Sequence, residues 1–172
     1  MFIKIDSLYD IISTSLVVFN LYYIYNFNII ILLGFLLCVF FQDFFKEVTF
    51  GWLPFLFKRP NGANNCSLFN SGGLIDHKSG FPSGHVSVIS FLMIFLLLEK
   101  ETNLFNTNNI YYFIPIVLIG YARIKKGAHN LFQVLGGYML GLIIAYIMYF
   151  SKTSINQFVD YIYSQWKVSE LL

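Results

Sequence analysis

Residues 82–98 read PSGHVSVISFLMIFLLL: a turn-forming polar quartet runs straight into an apolar stretch broken only by Ser87 and Ser90 and closed by Glu99 and Lys100. Pro82 followed by Ser83 suits a helix start, with Ser83 as the N-cap. The start of a helix carries backbone N–H groups without intrahelical acceptors, so it attracts anions. Working outward, comparable apolar stretches cover Leu8 to Tyr25, Ile29 to Phe45, Ile110 to Ala122 and Ala128 to Phe150. Together with Ser83 to Leu98 they predict an all-α, polytopic membrane bundle of about five transmembrane helices. Gly137 and Gly141, four apart, offer a small-residue face for close helix packing. Residues 1–172 form a single domain, in which 151–172 alternates apolar and polar at helical spacing and is expected to be an interfacial tail.

Composition points the same way. Of 172 residues, 57% are hydrophobic, 20% aromatic and 12% charged. The charged share is about half the roughly 25% of a soluble domain, so the surface to be covered is lipid and an integral, multi-pass membrane protein is expected. No cleavable signal is visible, because the first apolar run is long and lacks a small-residue cleavage site. The two cysteines, Cys38 in an apolar run and Cys66 in a polar loop, make no disulfide scaffold. The net charge of +2 conceals a skew, since eight of the eleven Lys and Arg fall in the head and in the 46–82 and 123–127 loops. Five crossings put those segments on one side. The positive-inside rule makes that side cytosolic, although an anion site drawing on the same cations would weaken that count and leaves orientation open. Basic residues gathered at membrane boundaries give no support to nucleic-acid binding.

The connection from Lys46 to Pro82 exceeds the usual loop length of about 12–15 residues, which marks it as functional. With the 123–127 loop and the two helix starts it gathers Lys46, Lys58, Arg59, Asp76, His77, Lys78, Ser83, His85, Arg123, Lys125, Lys126 and His129. Cations and helix N-termini beside two histidines are what phosphoryl transfer needs, because charge spreads over the equatorial oxygens in its transition state. Three histidines with no carboxylate pair or cysteine cluster make a poor transition-metal site, so no metal or other cofactor is expected.

On these residues the chain resembles the type 2 phosphatidic acid phosphatases, the membrane branch of the superfamily that includes the vanadium haloperoxidases. The family's three motifs are Lys, six residues, Arg-Pro; Pro-Ser-Gly-His; and Ser-Arg, five residues, His, three residues, Asp. Here Pro82-Ser83-Gly84-His85 is intact, Arg59-Pro60 ends the first motif, and Arg123 precedes His129 by the family's spacing. Position 52, where the first motif has lysine, is Trp, leaving Lys46 or Lys58 to supply that charge. Ala122 replaces the third motif's Ser, and Gln133 stands at its Asp.

The resemblance implies one PAP2-like membrane domain and a metal-independent lipid phosphatase. In that scheme His129 attacks phosphorus to form a phosphohistidine, His85 protonates the leaving alcohol, and water hydrolyses the adduct. Arg59, Arg123, Ser83, the Gly84 N–H and Lys46 or Lys58 hold the phosphate oxygens. Gln133 orients His129 through its side-chain oxygen but supplies no charge to stabilise imidazolium. The expected partners are the bilayer and a membrane lipid phosphate, either a monoester such as phosphatidic acid or an isoprenyl diphosphate. A catalytically weak or inactive lipid-phosphate-binding protein of the same fold is the alternative.

Overall fold

The structure, a computed structural model, describes residues 8–13, 15, 29–50, 54–66, 72–100 and 109–169. Five helices follow a helical stretch at 8–13: α1 (Ile29–Phe50), α2 (Pro54–Phe57), α3 (Gly84–Glu99), α4 (Ile110–Lys125) and α5 (Leu131–Ser169). Among the described residues the only extended pairing is two isolated bridges, Lys58 with Ser79 and Asn64 with Leu74. The fold is all-α.

Helix α3 is the axis of the bundle. Val86 through Phe95 and Leu97 are buried, which covers every face of the helix, as expected for a helix that is apolar all round. Helices α1, α4 and α5 pack against it. Glycines set how closely they approach. A Cβ at Gly137 would lie 2.5 Å from the Ser83 carbonyl oxygen, one at Gly141 would collide with the Ser87 carbonyl, and one at Gly34 with the Phe91 ring. The small-residue face of α5 therefore meets the α3 backbone directly. At one end of the bundle Lys152 of α5 pairs with Glu99 at 2.7 Å, and Lys100 meets Tyr111 at 2.6 Å. Helices α3 and α5 both start at the opposite end, to which the α4 C-terminus returns.

The outer helices turn apolar stripes outward: Leu36, Phe40 and Phe44 on α1, Ile114, Val117 and Tyr121 on α4, and Leu135, Met139, Ile143 and Ile147 on α5. Only two described helices, however, are long and apolar enough to cross a membrane, Ile29–Val48 and Leu131–Trp166. That overturns the expectation of about five crossings. Helices α3 and α4 have 16 residues each, about 24 Å at 1.5 Å per residue, short of a hydrocarbon layer about 30 Å thick. The apolar side chains of α3 face other helices, and hydropathy does not distinguish a protein interior from lipid. The predicted span Leu8 to Tyr25 lies largely outside the described residues, as do Trp52 and residues 101–108. Helix α5 continues unbroken through Phe150 to Ser169.

Candidate functional site

The site lies where α3 and α5 begin. The chain enters α5 through a reciprocal capping box: the Asn130 side-chain oxygen accepts from the Gln133 N–H at 2.9 Å, and Gln133 Oε1 accepts from the Asn130 N–H at 3.3 Å. Such a box satisfies two otherwise unpaired donors and fixes the Gln133 side chain beside His129. His129 Nδ1 lies 3.1 Å from the same Gln133 oxygen, and its Nε2 lies 3.3 Å from Arg59 Nη1. Arginine only donates and the Gln133 oxygen only accepts. The network therefore puts the proton on Nδ1 and the lone pair on Nε2, facing Arg59.

Arg59 reaches this point from the long loop, and its Nη1 also donates to the Ala128 carbonyl at 2.9 Å. The loop is ordered by its own bonds: Arg59 N–H to Lys78 at 3.2 Å, Ile75 N–H to Ala63 at 2.9 Å, and Gly73 N–H to the Asn65 side chain at 3.0 Å. Ala63, Cys66 and Ala128 pack together beneath it, with Ile75 against them. The rings of Phe57, Phe81 and Phe132, with centroids 4.8–5.6 Å apart, buttress the side facing α2. His129, Arg123, Ser83 and Gln133 are buried as a result.

Arg123 at the end of α4 donates through Nη2 to the Cys66 carbonyl. Among the described residues its Nε and Nη1, Arg59 Nε and the Ser83 hydroxyl are buried without a hydrogen-bond partner. Ser83 occupies the N-cap position of α3, but its hydroxyl makes no capping bond. Its backbone N–H instead donates to the Gln133 carbonyl at 2.9 Å, tying the two helix starts together. Gly84 and the partly buried His85 form the first turn of α3.

The electrostatics of the site are dominated by buried cations. Burial, then Arg123, Arg59 and His85, hold His129 well below the ordinary histidine range. Burial, then Arg123, Lys46, Lys126 and Arg59, do the same to His85. Both imidazoles are thus neutral at pH 7 while the pocket around them is cationic. Lys46 on α1 is salt-bridged to Asp43 at 2.9 Å, and Lys126 to the buried Asp10. The Lys58 side chain is exposed, although its carbonyl accepts from Gln133. His77 pairs loosely with Asp76 at 3.7 Å, and the Asp76 carboxylate accepts from the Gly62 N–H. Among the described residues no three His, Cys, Asp or Glu side chains group as a metal set.

Three contributors escaped the sequence reading. Asn130 was legible, because Asn-x-x-Gln before an apolar run is a helix-start signature. Gly80 and Gln42 carried no such signal. A Cβ at Gly80 would lie 2.6 Å from Gln133 Oε1 and 2.9 Å from Arg59 Cγ. The buried Gln42 oxygen sits against Gly84 and has no partner among the described residues.

Comparison with curated proteins and with solved structures finds no match. The PAP2 superfamily model matches residues 27–155, which include both helix starts and the whole loop between α1 and α3. With that match over more than half its length, the chain belongs to the PAP2 superfamily.

Proposed function

We propose that this protein is a membrane phosphohydrolase that removes phosphate from a lipid phosphate through a phosphohistidine. The observation carrying this reading is the set of buried, unpartnered donors on Arg123, Arg59 and Ser83 beside the lone pair of His129 Nε2. Leaving such donors unsatisfied costs about 1–3 kcal/mol each, more for charged groups, and a phosphate offers them several acceptor oxygens. In the first step Nε2 forms a bond to phosphorus while the phosphorus–alkoxide bond breaks, and His85 gives its proton to the departing oxygen. In the second, water gives a proton to His85 as it attacks the phosphorus, the P–N bond breaks with its electron pair returning to Nε2, and inorganic phosphate leaves. A neutral His129 is ready to attack. His85 acquires its proton when the dianionic substrate reverses the local field. Lys46, Lys126 and the Gly84 N–H complete the rim, and Lys58, whose side chain is exposed, is assigned no contact with the phosphate.

The two membrane-length helices and the apolar outer stripes support a multi-pass protein whose substrate phosphate lies at the headgroup plane, in the manner of the type 2 phosphatidic acid phosphatases. A binding-only protein of the same fold is the second reading, favoured by the neutral Gln133. Phosphate release from a panel of lipid phosphates in detergent with excess EDTA tests both. Turnover abolished by His129→Ala and unaffected by EDTA supports the hydrolase. Phosphate binding without turnover supports the second reading, and turnover restored only by a divalent ion overturns the metal-free mechanism.

A further inference from the structure

Gln133 makes more bonds than orienting a histidine requires. Its Oε1 faces His129 Nδ1 at 3.1 Å and the Asn130 N–H at 3.3 Å. Its Nε2 donates toward three successive carbonyls at the end of α2 and the start of the loop: Lys58 at 2.8 Å, Phe57 at 3.1 Å and Leu56 at 3.3 Å. Asn130 Nδ2 adds a second bond to the Leu56 carbonyl at 3.1 Å. The Asn130 N–H faces the oxygen and three carbonyls face the nitrogen, so the orientation of the amide, and with it the donor role of His129 Nδ1, is dictated by its surroundings. Gly80 leaves room for this amide, and its own N–H donates to the Phe57 carbonyl at 2.7 Å. Arg59 follows directly on the clamped carbonyls.

We infer that Gln133 is a two-sided positioning residue whose oxygen sets the His129 tautomer and whose amide nitrogen clamps the 56–58 backbone that places Arg59, so that an amide is required here and a carboxylate cannot substitute. A carboxylate has acceptors only. At position 133 it would keep the contact to His129 but turn a negative oxygen toward three carbonyl oxygens. The neutral amide gives up stabilisation of imidazolium and gains a fixed distance between the attacking nitrogen and the arginine that meets the phosphate.

The inference rests on the proposed phosphohydrolase for its purpose, but its geometry can be tested apart from turnover. The full-length protein, labelled with 15N-histidine and purified in detergent at pH 8, is compared with Gln133→Glu and Gln133→Met. His129→Ala identifies the His129 signals. Wild-type His129 should show a single Nδ1–H tautomer. Gln133→Glu should keep that tautomer while hydrogen exchange across residues 56–60 rises at least tenfold and inorganic phosphate binds at least tenfold more weakly. Gln133→Met should lose both the tautomer preference and the protection. If Gln133→Glu folds poorly, Gln133→Met alone decides through the tautomer and the exchange. Unchanged exchange at 56–60 in either variant, or a wild-type tautomer in Gln133→Met, overturns the inference. Absence of phosphate binding in the wild type overturns the proposed function, and the tautomer and exchange data still judge the clamp.

Discussion

Helices α3 and α5 both begin at the pocket, and they begin in opposite ways. At the start of α5, Asn130 and Gln133 satisfy each other, and Gln133 goes on to hold His129 and the carbonyls of residues 56–58. At the start of α3, Ser83 stands in the N-cap position with a buried hydroxyl that bonds to nothing among the described residues. A capping serine is worth about 1 kcal/mol, and α3 does without it. The contrast separates two demands on one site. On the proposed mechanism, the group that attacks must be held still, so its helix start is closed by hydrogen bonds, whereas groups that receive a ligand must keep donors free, so theirs stays open.

The largest effect should come from acidification. The unfolded chain binds protons at its histidines below about pH 6.5, whereas folded His129 and His85, with lowered pKa values, stay neutral there. Folding stability should therefore fall with decreasing pH, by up to about 1.4 kcal/mol per pH unit for each histidine. Inorganic phosphate should offset the loss by favouring the charged imidazoles. Thermal melts from pH 8 to pH 5.5, with and without phosphate, check this; a melting temperature insensitive to pH would mean that neither helix start buries a neutral histidine.

Gly137→Ala attacks the junction of the two starts, because the added methyl would sit 2.5 Å from the Ser83 carbonyl oxygen. We expect a loss of about 1–3 kcal/mol, as for overpacking, together with weaker phosphate binding as the start of α3 is pushed away. Denaturant melts paired with phosphate titration measure both, and retained affinity would show that Ser83 can move without harm to the site.

Asn130→Ala should cost about 1 kcal/mol in stability, the usual value of a lost N-cap, and should slow turnover because Gln133 loses half of its box. An unchanged melting temperature would break the comparison from the closed side. Ser83→Ala should do the reverse: stability within about 0.5 kcal/mol of wild type, because no capping bond is lost, and phosphate affinity lower by about 1 kcal/mol, the typical value of one hydrogen bond. A cap-sized loss of stability there would break it from the open side.

Much of the site was legible because its parts are local in the chain. The Pro82–His85 quartet, the interval from Arg123 to His129 and Asn130-x-x-Gln133 each lie within about two helical turns, so spacing alone puts their side chains together. Helix existence was legible as well, since long apolar runs have few other ways to satisfy their backbone. The number of crossings was not, because α3 is as apolar as a membrane span yet buries its side chains in α1, α4 and α5.

By itself, the sequence determined an all-α chain, a cation-rich end carrying two histidines at helix starts, and the residue types able to hold a phosphate. Only the tertiary structure decided which donors remain free and which are consumed. Arg123 keeps Nε and Nη1 while giving Nη2 to the Cys66 carbonyl, 57 positions away in the chain. Gln133 is held by carbonyls some 75 positions earlier, which gives its amide a function that a reading of position 133 as a replaced aspartate does not contain. The physical reason is that hydrogen-bond satisfaction belongs to pairs of groups, and partners distant in sequence meet only once the helices have packed.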